Sequence, residues 1–168
     1  ASAETGFMPG YLYTDQGGVY TPGGIWPWEN GGYNHGQRIG SENLVAYADA
    51  HFAEGGQEDL TLVGYSYGAA IVHTALEVID TRPYAGKVHV RLYGNPRHPG
   101  GIEDNFYGSY LLGIHFRGAG ITPQNLGSFV DECNPRDAIC DFPGLLQPIT
   151  TLDHIVGYFT GAHSYDMR

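Results

Sequence analysis

At 168 residues with a formal net charge of −10, the chain is long enough for one domain that buries about two-thirds of its unfolded surface. Charged residues reach only 15% and Gly is roughly twice its usual share, so a loop-rich chain with a weakly charged surface is expected. The acidic balance and the single Lys, Lys87, argue against nucleic-acid backbones and anionic membranes as partners, and no apolar run is long enough to span a bilayer.

Residues 1–40 read as irregular, rich in Gly and aromatics, with both Trp (Trp26 and Trp28) among them. The first residues have neither the basic nor the apolar region of a signal peptide. One short strand, Gly10 to Thr14, is expected. Tyr20-Thr21-Pro22-Gly23-Gly24 and Glu29-Asn30-Gly31-Gly32 read as turns. The aromatics could wall a site for an acyl chain or a sugar, or anchor a long loop to the core.

Ser41 then reads as the cap of a helix to about Glu54, with Leu44, Tyr47, Ala48, His51 and Phe52 on its inner face and Gly55-Gly56 as its stop. Leu60 to Val63 has the length of a buried strand. Gly64-Tyr65-Ser66-Tyr67-Gly68 follows, and Ala69, Val72, Leu76 and Ile79 mark one face of a helix ending near Asp80. With 26 Gly in the chain a stray Gly-x-Ser-x-Gly is not rare. Its place between a strand and a helix is what gives it meaning, as a tight turn that lifts a nucleophilic serine above a helix N-terminus.

Val88 to Tyr93 alternates and should be a strand with one less buried face, ending at Gly94-Asn95-Pro96. Strand, helix and strand at this spacing make a βαβ unit, hence a parallel sheet. The stretch 97–127 has no clear periodicity beyond a short apolar run, Tyr110 to Ile114. Ser128 to Glu132 could be one more strand. Leu145 to Ile155 looks helical but broken at Pro148, and His154 to Phe159 continues it up to Gly161-Ala162-His163.

A nucleophilic serine needs a base to take its proton and a carboxylate to fix the base's tautomer. Asp137 leads for the acid, since it follows a strand end within a loop bounded by the two cysteines; Asp131, Asp141 and Asp153 compete. His163, after a glycine turn late in the chain, leads His154 for the base. Cys133 and Cys140 are either a disulfide or two thiols. Their spacing, without a flanking His, suits zinc poorly and favours the disulfide, which implies an oxidising location. No metal or cofactor is called for.

Gly-Tyr-Ser-Tyr-Gly-Ala after one strand, Leu-Tyr-Gly-Asn-Pro after the next, and Cys-x3-Asp-x2-Cys followed by His together resemble the cutinase superfamily of α/β-hydrolases. Gly94-Asn95-Pro96-Arg97 and Ile25-Trp26-Pro27 are more similar to phage lysin B, esterases of mycolyl-arabinogalactan, and the related PE-PPE hydrolase domains share the elbow. The resemblance spans about Gly23 to His163. It implies a cutinase-like three-layer α/β sandwich in a single domain, with a mostly parallel sheet and no large lid. It further implies a secreted or envelope-acting serine esterase of lipid or polyester substrates, mycolyl-arabinogalactan among them. Ser66 would be the nucleophile, Asp137 the orienting acid and His163 the base. Tyr67 would lend its backbone N–H to the oxyanion hole, with Gln16 as the candidate second donor, and Trp26, Tyr65 and Asn95 would meet substrate. Tyr67 stands where Gln is usual, a change expected to reshape the pocket. The reading from a different class is a hydrolase-fold binding module of a larger envelope-targeting protein.

Overall fold

The computed structural model describes residues 11–14, 17–22, 24, 28, 31–53, 58–111 and 113–166. The centre of the fold is the parallel pair β3 (Leu60–Tyr65) and β4 (Val88–Tyr93), joined through helix α2 (Tyr67–Ile79). A hairpin of β1 (Tyr11–Thr14) and β2 (Gly17–Tyr20) adds antiparallel strands on one side of β3, and β7 (Ser128–Glu132) runs parallel to β4 on the other. The sheet order is therefore β2-β1-β3-β4-β7.

Period-2 alternation sorts the sheet into two faces. Leu60, Leu62, Val88, Val90 and Leu92 lie on one face, within 3% of full burial. They pack against Ile71, Val72, Ala75, Leu76 and Ile79 of α2, with Leu44 and Ala48 of helix α1 (Gly32–Ala53) in the same cluster. Burial of each large aliphatic side chain here contributes about 1.5–3 kcal/mol, and truncating one such as Leu76 to Ala costs about 2–5 kcal/mol. On the opposite face Val63, Arg91 and Val130 sit side by side, half-buried or exposed, as the alternation of the β4 sequence anticipates.

Three features differ from the sequence expectation. Helix α1 starts at Gly32, not Ser41, so the irregular stretch stops well short of residue 40. Gly36 and Gly40 look like turn signals but are contact points. A Cβ on Gly36 would lie 2.3 Å from both Pro22 O and Tyr67 Oη, and one on Gly40 would lie 2.7 Å from Thr21 Oγ1. Ser41 is inside the helix and donates its hydroxyl to Arg38 O. Second, Gly17–Tyr20 forms β2, where only turns were expected. Third, Pro148 opens helix α4 (Pro148–Gly157) instead of breaking one, because the first helical turn needs no N–H from it.

Among its described residues the stretch 97–127 holds only a short helix α3 (Ile102–Asn105) and a hairpin of two-residue strands, β5 (Tyr110–Leu111) with β6 (Ile114–His115). It is tied down by polar side chains instead of an apolar stripe. Buried Arg97 bonds Thr74 Oγ1 and Glu77 on α2 and donates to Gly118 O. The Asp80 carboxylate accepts the N–H groups of Gln124 and Asn125. Among the described residues no helix is long and apolar enough to cross a membrane.

Candidate active site

The turn from β3 into α2 forces Ser66 to φ 53°, ψ −122°, a backbone state that costs a non-glycine residue about 1–3 kcal/mol. The surrounding structure holds it there. Ser66 N donates to Tyr93 O at 2.8 Å, and Ala69 N and Ala70 N both reach Ser66 O. Gly64 is required for the closure, since a Cβ on it would meet Ala69 Cα at 2.7 Å. Ser66 therefore sits at the C-terminal end of the parallel strands, over the N-terminus of α2, where first-turn N–H groups lack intrahelical partners.

His163 reaches this point from the far end of the chain. It follows the wide helical turn Tyr158–Ala162, in which Gly161 has φ 109°, and it is 8% exposed. Its Nδ1 lies 2.7 Å from Asp137 Oδ2, so Nδ1 carries the proton and donates it. Nε2 on the same ring is buried and has no hydrogen-bond partner among the described residues. Residues beside Ser66 touch this histidine on both sides. Tyr65 donates its hydroxyl to His163 O at 2.7 Å, and Gly94, which follows the Tyr93 that holds Ser66 N, lies against the imidazole.

Asp137 is fully buried in a loop closed by the Cys133–Cys140 disulfide. Its Oδ1 accepts Ile139 N–H at 3.0 Å, and its Oδ2 accepts both His163 Nδ1 and the Tyr165 hydroxyl, the latter at 2.6 Å. The competing acids are engaged elsewhere. Asp153 holds Arg136, and Asp141 lies beside His154, whose Nδ1 bonds Asp141 O at 2.6 Å. Asp131 accepts from Asn95 and lies 3.0 Å from His98 Nδ1, close but not aligned as a hydrogen bond.

Of the expected substrate contacts, Asn95 lies inside the fold. Asn95 is 0% exposed; its Nδ2 bonds His73 Nδ1 at 2.8 Å and Asp131 Oδ2 at 3.0 Å, while its Oδ1 takes Arg97 N–H. Both ends of its side-chain amide are thus engaged inside the fold. His73 donates Nε2–H to Ile121 O and accepts at Nδ1, so it is a neutral structural histidine. Burial lowers its pKa further. The Tyr67 side chain packs on α1, where its hydroxyl donates to Tyr33 O and its ring lies 4.8 Å from that of Tyr33. Tyr65 remains at the surface, 36% exposed, with its hydroxyl committed to His163. Gln16 and Trp26 lie outside the described residues.

Sequence reasoning missed the aromatic surround of His163. Tyr65 and Tyr158 each place a ring 4.9 Å from the His163 ring, and Tyr165 stands edge-on at 6.1 Å. Tyr165 is two residues beyond His163, a spacing that in extended chain returns a side chain to the same side; it was the available signal. A look-alike trio also exists. Ser128 Oγ lies 2.9 Å from His89 Nδ1, and His89 Nε2 lies 3.1 Å from Asp59. Ser128 is an ordinary strand residue at the N-terminal end of β7 with no strained turn beneath it, and Asp59 is largely exposed. Among the described residues no cluster of His, Cys, Asp or Glu is arranged to hold a metal.

The family model described as Cutinase matches residues 22–165, a span that holds Ser66, Asp137, His163 and Tyr165 together. No curated protein matches the chain.

Proposed function

The chain belongs to the cutinase family of ester hydrolases, and from that premise we propose a serine esterase working through Ser66, His163 and Asp137. The observation that carries the reading is the buried imidazole, bonded to Asp137 at Nδ1 and without a partner at Nε2 among the described residues, whose backbone carbonyl is held by Tyr65, the neighbour of a serine on a strained turn. In the acylation step His163 Nε2 takes the Ser66 hydroxyl proton while Oγ attacks the ester carbonyl. The tetrahedral oxyanion receives the Tyr67 backbone N–H at the α2 N-terminus, with the dipole of that helix behind it. Collapse expels the alcohol, which takes its proton from His163, and leaves an acyl-serine. Water, deprotonated by the same Nε2, then releases the acid. Asp137 keeps Nδ1 protonated throughout and faces the imidazolium as it forms.

For substrate, the exposed apolar side chains leading to His163 favour a lipid or polyester ester. Leu146 just before α4, Ile149 within it and Phe159 in the turn that delivers the base are each at least 80% exposed. A lysin B-like esterase of mycolyl-arabinogalactan is the most specific form of the proposal. The disulfide fits action outside the cell or on its envelope.

The test is hydrolysis of p-nitrophenyl esters of graded acyl length by the parent and by Ser66→Ala. Turnover that rises with chain length and falls by about 10⁴–10⁶ in the variant is expected. A folded parent that hydrolyses no ester would overturn the proposal and leave the binding module as the better reading.

A further inference from the structure

The carboxylate of Asp137 receives two donors on one oxygen. His163 Nδ1 and the Tyr165 hydroxyl both bond Oδ2, at 2.7 and 2.6 Å, and the Tyr165 oxygen in turn accepts the Asn134 N–H at 2.9 Å. Asn134 closes the arrangement from its other end. Its Nδ2 donates to Ala162 O at 2.9 Å and to Ser164 O at 3.0 Å, the two carbonyls that flank His163. The acid loop and the base loop are thus tied twice, once through a phenol on the carboxylate and once through an amide on the backbone.

We infer that Tyr165 is a positioning residue that sets the proton affinity of His163 by sharing Asp137 Oδ2, while Asn134 fixes where the imidazole stands. This deepens the serine-esterase reading and rests on it for its catalytic consequence. A buried carboxylate is held by the donors around it, and each one draws charge from the oxygen it touches. With the phenol in place, Oδ2 binds the imidazolium less strongly than a carboxylate bonded to His163 alone would. Removing the phenol should therefore tighten the hold of the carboxylate on the imidazolium.

The remaining groups around the pair do not take over this role. Tyr65 at the end of β3 gives its hydroxyl to His163 O, and Tyr158 meets the imidazole by ring contact. Tyr93 at the end of β4 lies 5.7 Å from the Tyr165 ring, and Glu132 at the end of β7 is exposed. Arg136 in the acid loop is paired with Asp153 of α4, and His154 with Asp141. The phenol is also a dependable donor, because burial first and the Asp137 bond second push its pKa above the ordinary tyrosine value.

The experiment is an NMR titration of the His163 ring, assigned by loss of its signal in His163→Gln, beside the pH profile of kcat/KM. Tyr165→Phe should raise the His163 midpoint by about half to one pH unit, the share expected of one charged hydrogen bond, and move the acidic limb of kcat/KM with it. Asn134→Ala should lower kcat without moving the midpoint. Site-specific 3-fluorotyrosine at position 165, a stronger donor in an intact fold, should move the midpoint down, which keeps the test open if Tyr165→Phe does not fold. An unchanged midpoint in both position-165 variants would overturn the inference. The titration needs no turnover, so a parent without esterase activity would refute the proposed function alone.

Discussion

Gly94 follows β4 at φ 56°, and the space where a side chain would stand is filled by the His163 imidazole. A Cβ there would lie 2.6 Å from His163 Cε1, 2.9 Å from Nδ1 and 3.1 Å from Asp137 Oδ2. Carbon contacts settle at about 3.5–4.0 Å, so Gly94→Ala should push the imidazole back by roughly 1 Å. The left-handed backbone adds about 1–2 kcal/mol for a residue with a Cβ. Against a domain stability of about 5–15 kcal/mol, the variant should still fold. A displacement of ~1 Å in a catalytic group can cost on the order of 10² in rate. Gly94→Ala should therefore lose about 10² in kcat/KM on a p-nitrophenyl ester, with near-native circular dichroism and a modestly lower Tm. Full activity in the folded variant would refute this placement of the base.

Asp137→Asn should lower kcat by roughly 10³–10⁴ through loss of the imidazole tautomer, whereas Asp141→Asn should be mild; the reverse order would move the acid to Asp141. The His163→Ala and His154→Ala pair should separate in the same way, with His154→Ala retaining activity. Reducing the Cys133–Cys140 bridge should cost about 2–3 kcal/mol of stability for so short a loop, yet lower hydrolysis while the chain remains folded, because Asp137 rides on it. His98 offers a pH test by denaturation. Its contact with Asp131 raises its pKa, against the opposing effect of burial. Its stabilising contribution is then complete below the unfolded value of about 6.5 and fades as pH rises through the folded value. His98→Gln should accordingly cost more stability at pH 5 than at pH 9, and an equal loss at both would refute the assignment.

The elbow and its parallel unit were legible because they are local. Leu60 to Val63, the glycine-flanked serine and the apolar face from Ala69 to Ile79 each carry a pattern that neighbouring residues alone can satisfy. Asp137 and His163 were legible as candidates through chain order and the cysteine pair, although 26 residues separate them. Gly36 and Gly40 misled because a glycine that admits Tyr67 or Thr21 reads the same in sequence as a glycine that ends an element. The stretch 97–127 stayed opaque because Arg97 and Asp80 hold it by long-range hydrogen bonds that leave no periodicity. Asn95 looked like a ligand contact because it follows a strand at the sheet's C-terminal end. Only the packed structure reveals that His73, Asp131 and the Arg97 N–H consume its amide.

A fluorophosphonate probe followed by peptide mass spectrometry asks whether Ser66 is an activated nucleophile without assuming a substrate. One stoichiometric adduct is expected on the peptide that contains Ser66, absent in Ser66→Ala and much slower in His163→Ala. Labelling that survives in Ser66→Ala, or a folded parent that takes no label at all, would contradict that role for Ser66.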